Sequence, residues 1–134
     1  MTRTAVLAFV MSVRPVLKPS ARHPITIEPT GRHVTVRVNG EVVAESDAAL
    51  TLQESTYQPV QYIPLSDVNR DLLQPTDTAT YCPFKGDASY YRVVTSAGEV
   101  VDDAIWTYRQ PYEAVAAIGG HVAFYPDKAE ITVG

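Results

Sequence analysis

A single cysteine, Cys82, leaves the chain unable to form an intrachain disulfide, which removes the usual reason for placing so small a domain in an oxidising compartment. The chain therefore reads as cytoplasmic. Histidine is scarce as well: His23, His33 and His121 stand far apart, and neither a C-x-x-C nor an H-x-H pair occurs. A structural zinc site takes four Cys or His ligands, so neither a tightly bound metal nor a cofactor is expected. Basic charge is short too, with eleven Lys and Arg against fifteen Asp and Glu for a formal charge of -4. Phosphate backbones need a concentrated basic face, and nucleic acid is not an expected partner.

Long apolar runs are missing. The stretch AVLAFVMSV at residues 5–13 is far shorter than the roughly 20 residues of a membrane span, so no membrane partner is expected. It follows Arg3 as a signal-peptide core would, but Arg14 comes next without a small-x-small cleavage site. It reads instead as an extra edge strand, or as an upstream extension with Met11 as the natural start, and a chain beginning at Met11 is expected to keep its melting temperature. Catalytic signatures are also absent. There is no G-x-x-x-x-G-K-[ST] loop, no G-x-S-x-G elbow, and no pair of carboxylates one residue apart beside a glycine-rich phosphate loop. Asp102 and Asp103 are adjacent, and strand alternation predicts that they point to opposite faces.

What the chain does have is proline and tyrosine, ten and eight residues, which favour strands and turns over long helices. Its 134 residues suit one core, divided as an N-terminal extension at 1–22 and a single β-rich domain at 23–134. ITIEP at 25–29 alternates apolar and polar residues, and HVTVRVNGEVVAES at 33–46 reads as a hairpin turning at Asn39-Gly40, where both central residues need positive φ. Pairing across that turn puts Val36 opposite Val43. ALTLQES and YQPVQYIP supply further strands; Pro59 and Pro64 predict an edge or bent strand for the second. SDVNRDLL at 66–73 and PYEAVAAIGG at 111–120 read as two short helices, the latter opened by Pro111 and ended by Gly119-Gly120. ATYC, ASYYRVVT, EVVDDAIWTY, HVAFY and AEITV complete the strands. The expected fold is a mostly β, single compact domain whose short, largely antiparallel sheet curves in a barrel-like way, with two short helices at its corners.

The series HPITIE, YQPVQYIPLSDV, TYCPFKGDASYY, WTY and AAIGGHVAFYPD resembles the small bacterial domain-of-unknown-function family 427 from His23 to the end of the chain. That resemblance implies a compact β-rich fold, a nucleotidyltransferase-like label and no established reaction.

The residues that remain as candidates centre on CPFKG. A cation near a thiol favours the nucleophilic thiolate, so Lys85, three residues after Cys82, marks one candidate site. The alternative is a well-made turn: Cys82 buried at a strand end, Pro83 stiffening it, Gly86 supplying positive φ and Lys85 in solvent. Trp106 and Tyr108 share one face of their strand and Ile105 and Thr107 the other. Tyr90 and Tyr91 also diverge, which predicts one near the core and one away from it. Two functions follow: a module binding a small molecule through Tyr62, Lys85, Asp87, Tyr90 and Trp106, or an enzyme using Cys82 or His121 on the same pocket. A third is an interaction module without a pocket, a homodimer included, associating through an edge strand or the N-terminal segment. The strand geometry places Lys85 and one of Tyr90 or Tyr91 on the largest concave surface, with Trp106 or His121 beside them and Cys82 at its edge.

Overall fold

The computed structural model describes residues 14–134; the apolar stretch at 5–13 lies outside the described residues. Among the described residues ten strands follow in order: β1 (Ile25–Pro29), β2 (Val34–Val38), β3 (Glu41–Ser46), β4 (Leu50–Glu54), β5 (Val60–Pro64), β6 (Leu73–Cys82), β7 (Gly86–Val94), β8 (Val100–Thr107), β9 (His121–Phe124) and β10 (Glu130–Val133). All pairings are antiparallel. The chain forms a mostly β domain with a seven-stranded sheet, ordered β1-β4-β5-β9-β8-β7-β6, and a three-stranded sheet, β10-β2-β3. Neither sheet closes into a barrel among the described residues.

Hairpin β2–β3 turns at Asn39 and Gly40, whose φ angles are 50° and 83°. The register differs from the simple one. Val38 meets Glu41 and Arg37 meets Val42, but Val36 meets Ala44 because Val43 bulges. Packing explains this bulge: Val43 and Ala44 are consecutive yet both buried, at 1% and 2% exposure, which an unbroken period of two does not permit.

Both expected helices are shorter and tighter than the sequence implies. Among the described residues the helical segments are 3-10 turns at Leu65–Asp67, Arg70–Leu72 and Glu113–Ile118. The first stretch breaks at Val68, which takes up an extended conformation and bridges Ala44 of β3. The residues after Leu72 enter β6 directly. In the last segment Val115 has non-helical dihedrals, and Val115 and Ile118, three residues apart, are both fully buried, a spacing that suits 3-10 geometry. Strand β5 is also not an edge: it passes from β4, where Leu50 faces Tyr62, to β9, where Pro64 faces His121. Pro59 precedes it and Pro64 is its last residue, so the prolines bracket the ladder rather than interrupt it.

The large sheet is apolar on both faces. On one, Val34, Val36, Val38, Val43 and Ala44 of the small sheet meet Ile63, Val93, Ile105, Val122 and Phe124. On the other, Leu52, Tyr62, Ala88, Tyr90, Tyr108 and Ala123 pack with Val115 and Ile118 of the last 3-10 turn. This two-faced burial corrects the expectation for the tyrosine pair. Tyr90 belongs to one cluster and Tyr91 packs against the other.

Asp102 and Asp103 do not alternate either. Asp103 has a φ of 49°, and the register of β8 on β7 slips there while β6 slips at residues 76–78. Thr76 and Thr78 of β6 donate to the Asp103 carboxylate at 2.7 and 2.6 Å, so both aspartates border one surface depression.

The β6–β7 turn depends on Gly86, whose φ of 109° is open to glycine alone and whose absent Cβ would approach the Gln110 carbonyl at 3.4 Å. Gly86→Ala is expected to cost about 1–3 kcal/mol, the usual range for such backbone strain. Urea denaturation should show a lower midpoint at unchanged slope, and an unaltered midpoint would show that the turn tolerates a side chain.

Candidate functional site

Inward-facing side chains of the second cluster do not fill their side of the sheet. A cavity of about 180 Å3 remains, bordered by Leu52, Glu54, Tyr57, Gln58, Val60, Tyr62, Lys85, Tyr90, Trp106, Tyr108 and Tyr125. Its walls are rings: Trp106 meets Tyr62 edge-on at 6.3 Å and Tyr125 at 4.5 Å, and Tyr125 lies parallel to Tyr90 at 6.5 Å. Trp106 also donates its indole N–H to the Tyr62 hydroxyl at 3.2 Å.

The polar group at this cavity is an ion pair. Lys85 is only 6% exposed, not solvated as a turn lysine would be, and its Nζ donates to Glu54 Oε1 at 2.5 Å. The other carboxylate oxygen, Oε2, lies 2.7 Å from His23 Nε2. His23 in turn stacks on Phe84 at 4.2 Å, with its ring parallel, and meets Tyr57 edge-on. Burial on its own would raise the Glu54 pKa; the hydrogen bonds from Lys85 and His23 outweigh it and hold the carboxyl below its ordinary value. Burial pushes the Tyr62 and Tyr108 phenols well up, so both remain protonated hydrogen-bond donors.

Four residues singled out from the sequence, Tyr62, Lys85, Tyr90 and Trp106, thus border one cavity. Cys82 ends β6, half-buried and not among the lining residues, with its Sγ 3.9 Å from Lys85 Nζ. Two candidates lie elsewhere. Asp87 is at the surface, where the Arg14 guanidinium binds its carboxylate at 2.6 and 3.1 Å and covers the Tyr81 ring. His121 opens β9 opposite Pro64, and its Nδ1 contacts the Gly119 carbonyl at 2.8 Å. Cys82 and His121 are therefore not a nucleophile–base pair. Nor is the aromatic cavity the largest hollow; a more open, apolar one of about 620 Å3 lies between Val16–Pro19, Ile25, Phe84 and Tyr112–Ala114.

Glu54 and His23 went unnoticed in the sequence although a signal was there. Leu50, Leu52 and Glu54 share one phase of β4, as His23, Ile25 and Ile27 share one of β1, so each polar residue continues an inward apolar series.

The sequence profile described as a domain of unknown function, DUF427, matches residues 26–134. The chain belongs to the DUF427 family. Among curated proteins, none matches significantly. The residues that the DUF427 profile covers include every cavity-lining side chain, whereas His23 falls three residues before it. Among the described residues of this DUF427 chain no group of three or more His, Cys, Asp or Glu is placed to hold a metal ion, and the Asp102 carboxylate is bound by Arg92.

Because the folded Glu54 carboxyl titrates below the ordinary 4.5, the stability it contributes is present above that value and is lost as pH falls through the lower, folded one. Glu54→Gln strands the Lys85 charge, with an expected cost of about 3–5 kcal/mol at neutral pH. That deficit should shrink as pH falls below the ordinary carboxyl value and through the lower, folded one, where the wild-type carboxyl also becomes neutral. Urea titrations from pH 7 to 3 check it, and a deficit that stays constant with pH would remove Glu54 ionisation as the cause.

Proposed function

We propose that this domain binds a small molecule in the aromatic cavity. The observation that carries the reading is the buried Lys85–Glu54 pair opening onto a space walled by Tyr62, Tyr90, Trp106, Tyr108 and Tyr125. Ligand sites commonly combine apolar and aromatic walls with a few convergent polar groups. At about 180 Å3 the space is smaller than the roughly 300 Å3 at which pockets for drug-sized ligands begin, which favours a compact ligand over an intact nucleotide. We place this binding in the cytoplasm of a bacterial cell, and no helix among the described residues is long and apolar enough to cross a membrane.

One contact favours a second reading, an enzyme in which Cys82 attacks the bound molecule: the 3.9 Å approach of Lys85 Nζ to Cys82 Sγ sets a cation beside the thiol. Alkylation with iodoacetamide across pH separates the two. Rapid labelling below the usual thiol range supports the nucleophile, and slow labelling with ordinary pH dependence leaves binding alone.

A metabolite thermal-shift screen tests the main proposal. A compound present at a hundredfold excess over its Kd should stabilise the protein by about 2.7 kcal/mol and raise its Tm by several degrees. Tyr57→Ala, at the exposed mouth, should reduce that shift without unfolding the domain. A screen without hits, or hits indifferent to Tyr57→Ala and Lys85→Met, would contradict it.

A further inference from the structure

We infer that the cavity is built for a small planar carboxylate, a class such as the aromatic acids; the inference rests on the small-molecule reading above and narrows it. It follows from asking which polar groups at the cavity have hydrogen-bonding capacity to spare.

Tyr108 is 8% exposed, and its hydroxyl has no hydrogen-bond partner among the described residues. Yet no fully buried side-chain nitrogen or oxygen there lacks a partner. The Tyr108 hydroxyl is therefore not fully buried, and Tyr108 is one of the residues that border the cavity. Tyr62, 2% exposed, accepts from Trp106 Nε1, while its own proton has no acceptor among the described residues. Lys85 carries three N–H groups. One goes to Glu54 and one toward Cys82, which leaves a third.

Acceptors are differently placed. Each Glu54 oxygen already has a partner, Lys85 or His23. Tyr90 Oη contacts Thr80 Oγ1 at 2.7 Å and receives the Tyr125 hydroxyl at 3.5 Å. The uncommitted capacity on the buried groups leans toward donating: an ammonium N–H that can only donate, the Tyr62 proton, and the Tyr108 hydroxyl, which burial keeps protonated and which can donate or accept. A complementary ligand must bring acceptor oxygens, and a carboxylate brings the most in the least volume. A cationic ligand, which an aromatic box can otherwise hold, would meet the Lys85 ammonium already seated on Glu54, the only carboxylate among the described residues that border this space. The ring walls around a cavity of about 180 Å3 favour a flat body attached to that carboxylate.

Isothermal titration at pH 7 with benzoate, benzamide and benzylammonium, three probes of similar size and different charge, tests this. Benzoate should bind at least tenfold more tightly than benzamide, and benzylammonium should not bind. Tyr108→Phe removes one hydroxyl and keeps the ring, so it should weaken benzoate about tenfold or more, the usual effect of losing a hydrogen bond to a charged group. Lys85→Met should abolish binding, and where that variant fails to fold, Tyr108→Phe alone decides. Benzamide or benzylammonium binding as well as benzoate would overturn the carboxylate while leaving the small-molecule reading standing. Benzoate binding that ignores Tyr108→Phe, or no binding of any probe, would overturn it too; the broader screen then decides separately whether the cavity takes another ligand.

Discussion

The ion pair between Lys85 and Glu54 joins two corners of the large sheet that no backbone ladder connects. Lys85 sits in the β6–β7 turn at one edge of the sheet, and Glu54 ends β4 beside β1 at the other. With β5, β9 and β8 between them, the sheet must bend for a contact of 2.5 Å to form. That bend makes one face concave, and its hollow is the aromatic cavity. His23 extends the link along β1, and the stacked Phe84 returns it to the β6–β7 turn, so the corner is tied by a ring contact as well as by charge.

Such a pair is expensive to bury, since two desolvated charges recover their hydration only through good geometry and further hydrogen bonds. Here Glu54 receives both, from Lys85 and His23. An apolar core of the same shape would serve stability as well. The proposed binding draws on these retained charges together with the Tyr62 and Tyr108 hydroxyls that border the same space.

The strands and their turns were largely legible in the sequence because they rest on local rules: the Asn39-Gly40 turn, the alternation in β1, and the opposite directions of Ile105 and Trp106. Tertiary contacts decided the rest. Val43 bulges so that it and Ala44 can both enter one core, and Val68 leaves a helical turn to bridge Ala44. The bulge at Asp103 depends on Thr76 and Thr78, more than two dozen residues earlier in the chain. Lys85 was legible as a residue of interest but not as a buried one, because a turn lysine defaults to solvent and its partner lies 31 residues away. Glu54 and His23 were readable in principle, as polar residues occupying the inward phase of their strands.

The most direct test of a binding cavity on this concave face is methyl NMR of the protein titrated with mixtures of small acids, amides and amines. Leu52 and Val60 border the aromatic cavity, Val34 and Val36 lie in the opposite core, and Val16, Leu17 and Ile25 border the larger apolar hollow. The account predicts saturable shifts at Leu52 and Val60, with Val34, Val36, Val16, Leu17 and Ile25 unmoved. Shifts confined to Val16, Leu17 and Ile25, or none at any methyl, would contradict it.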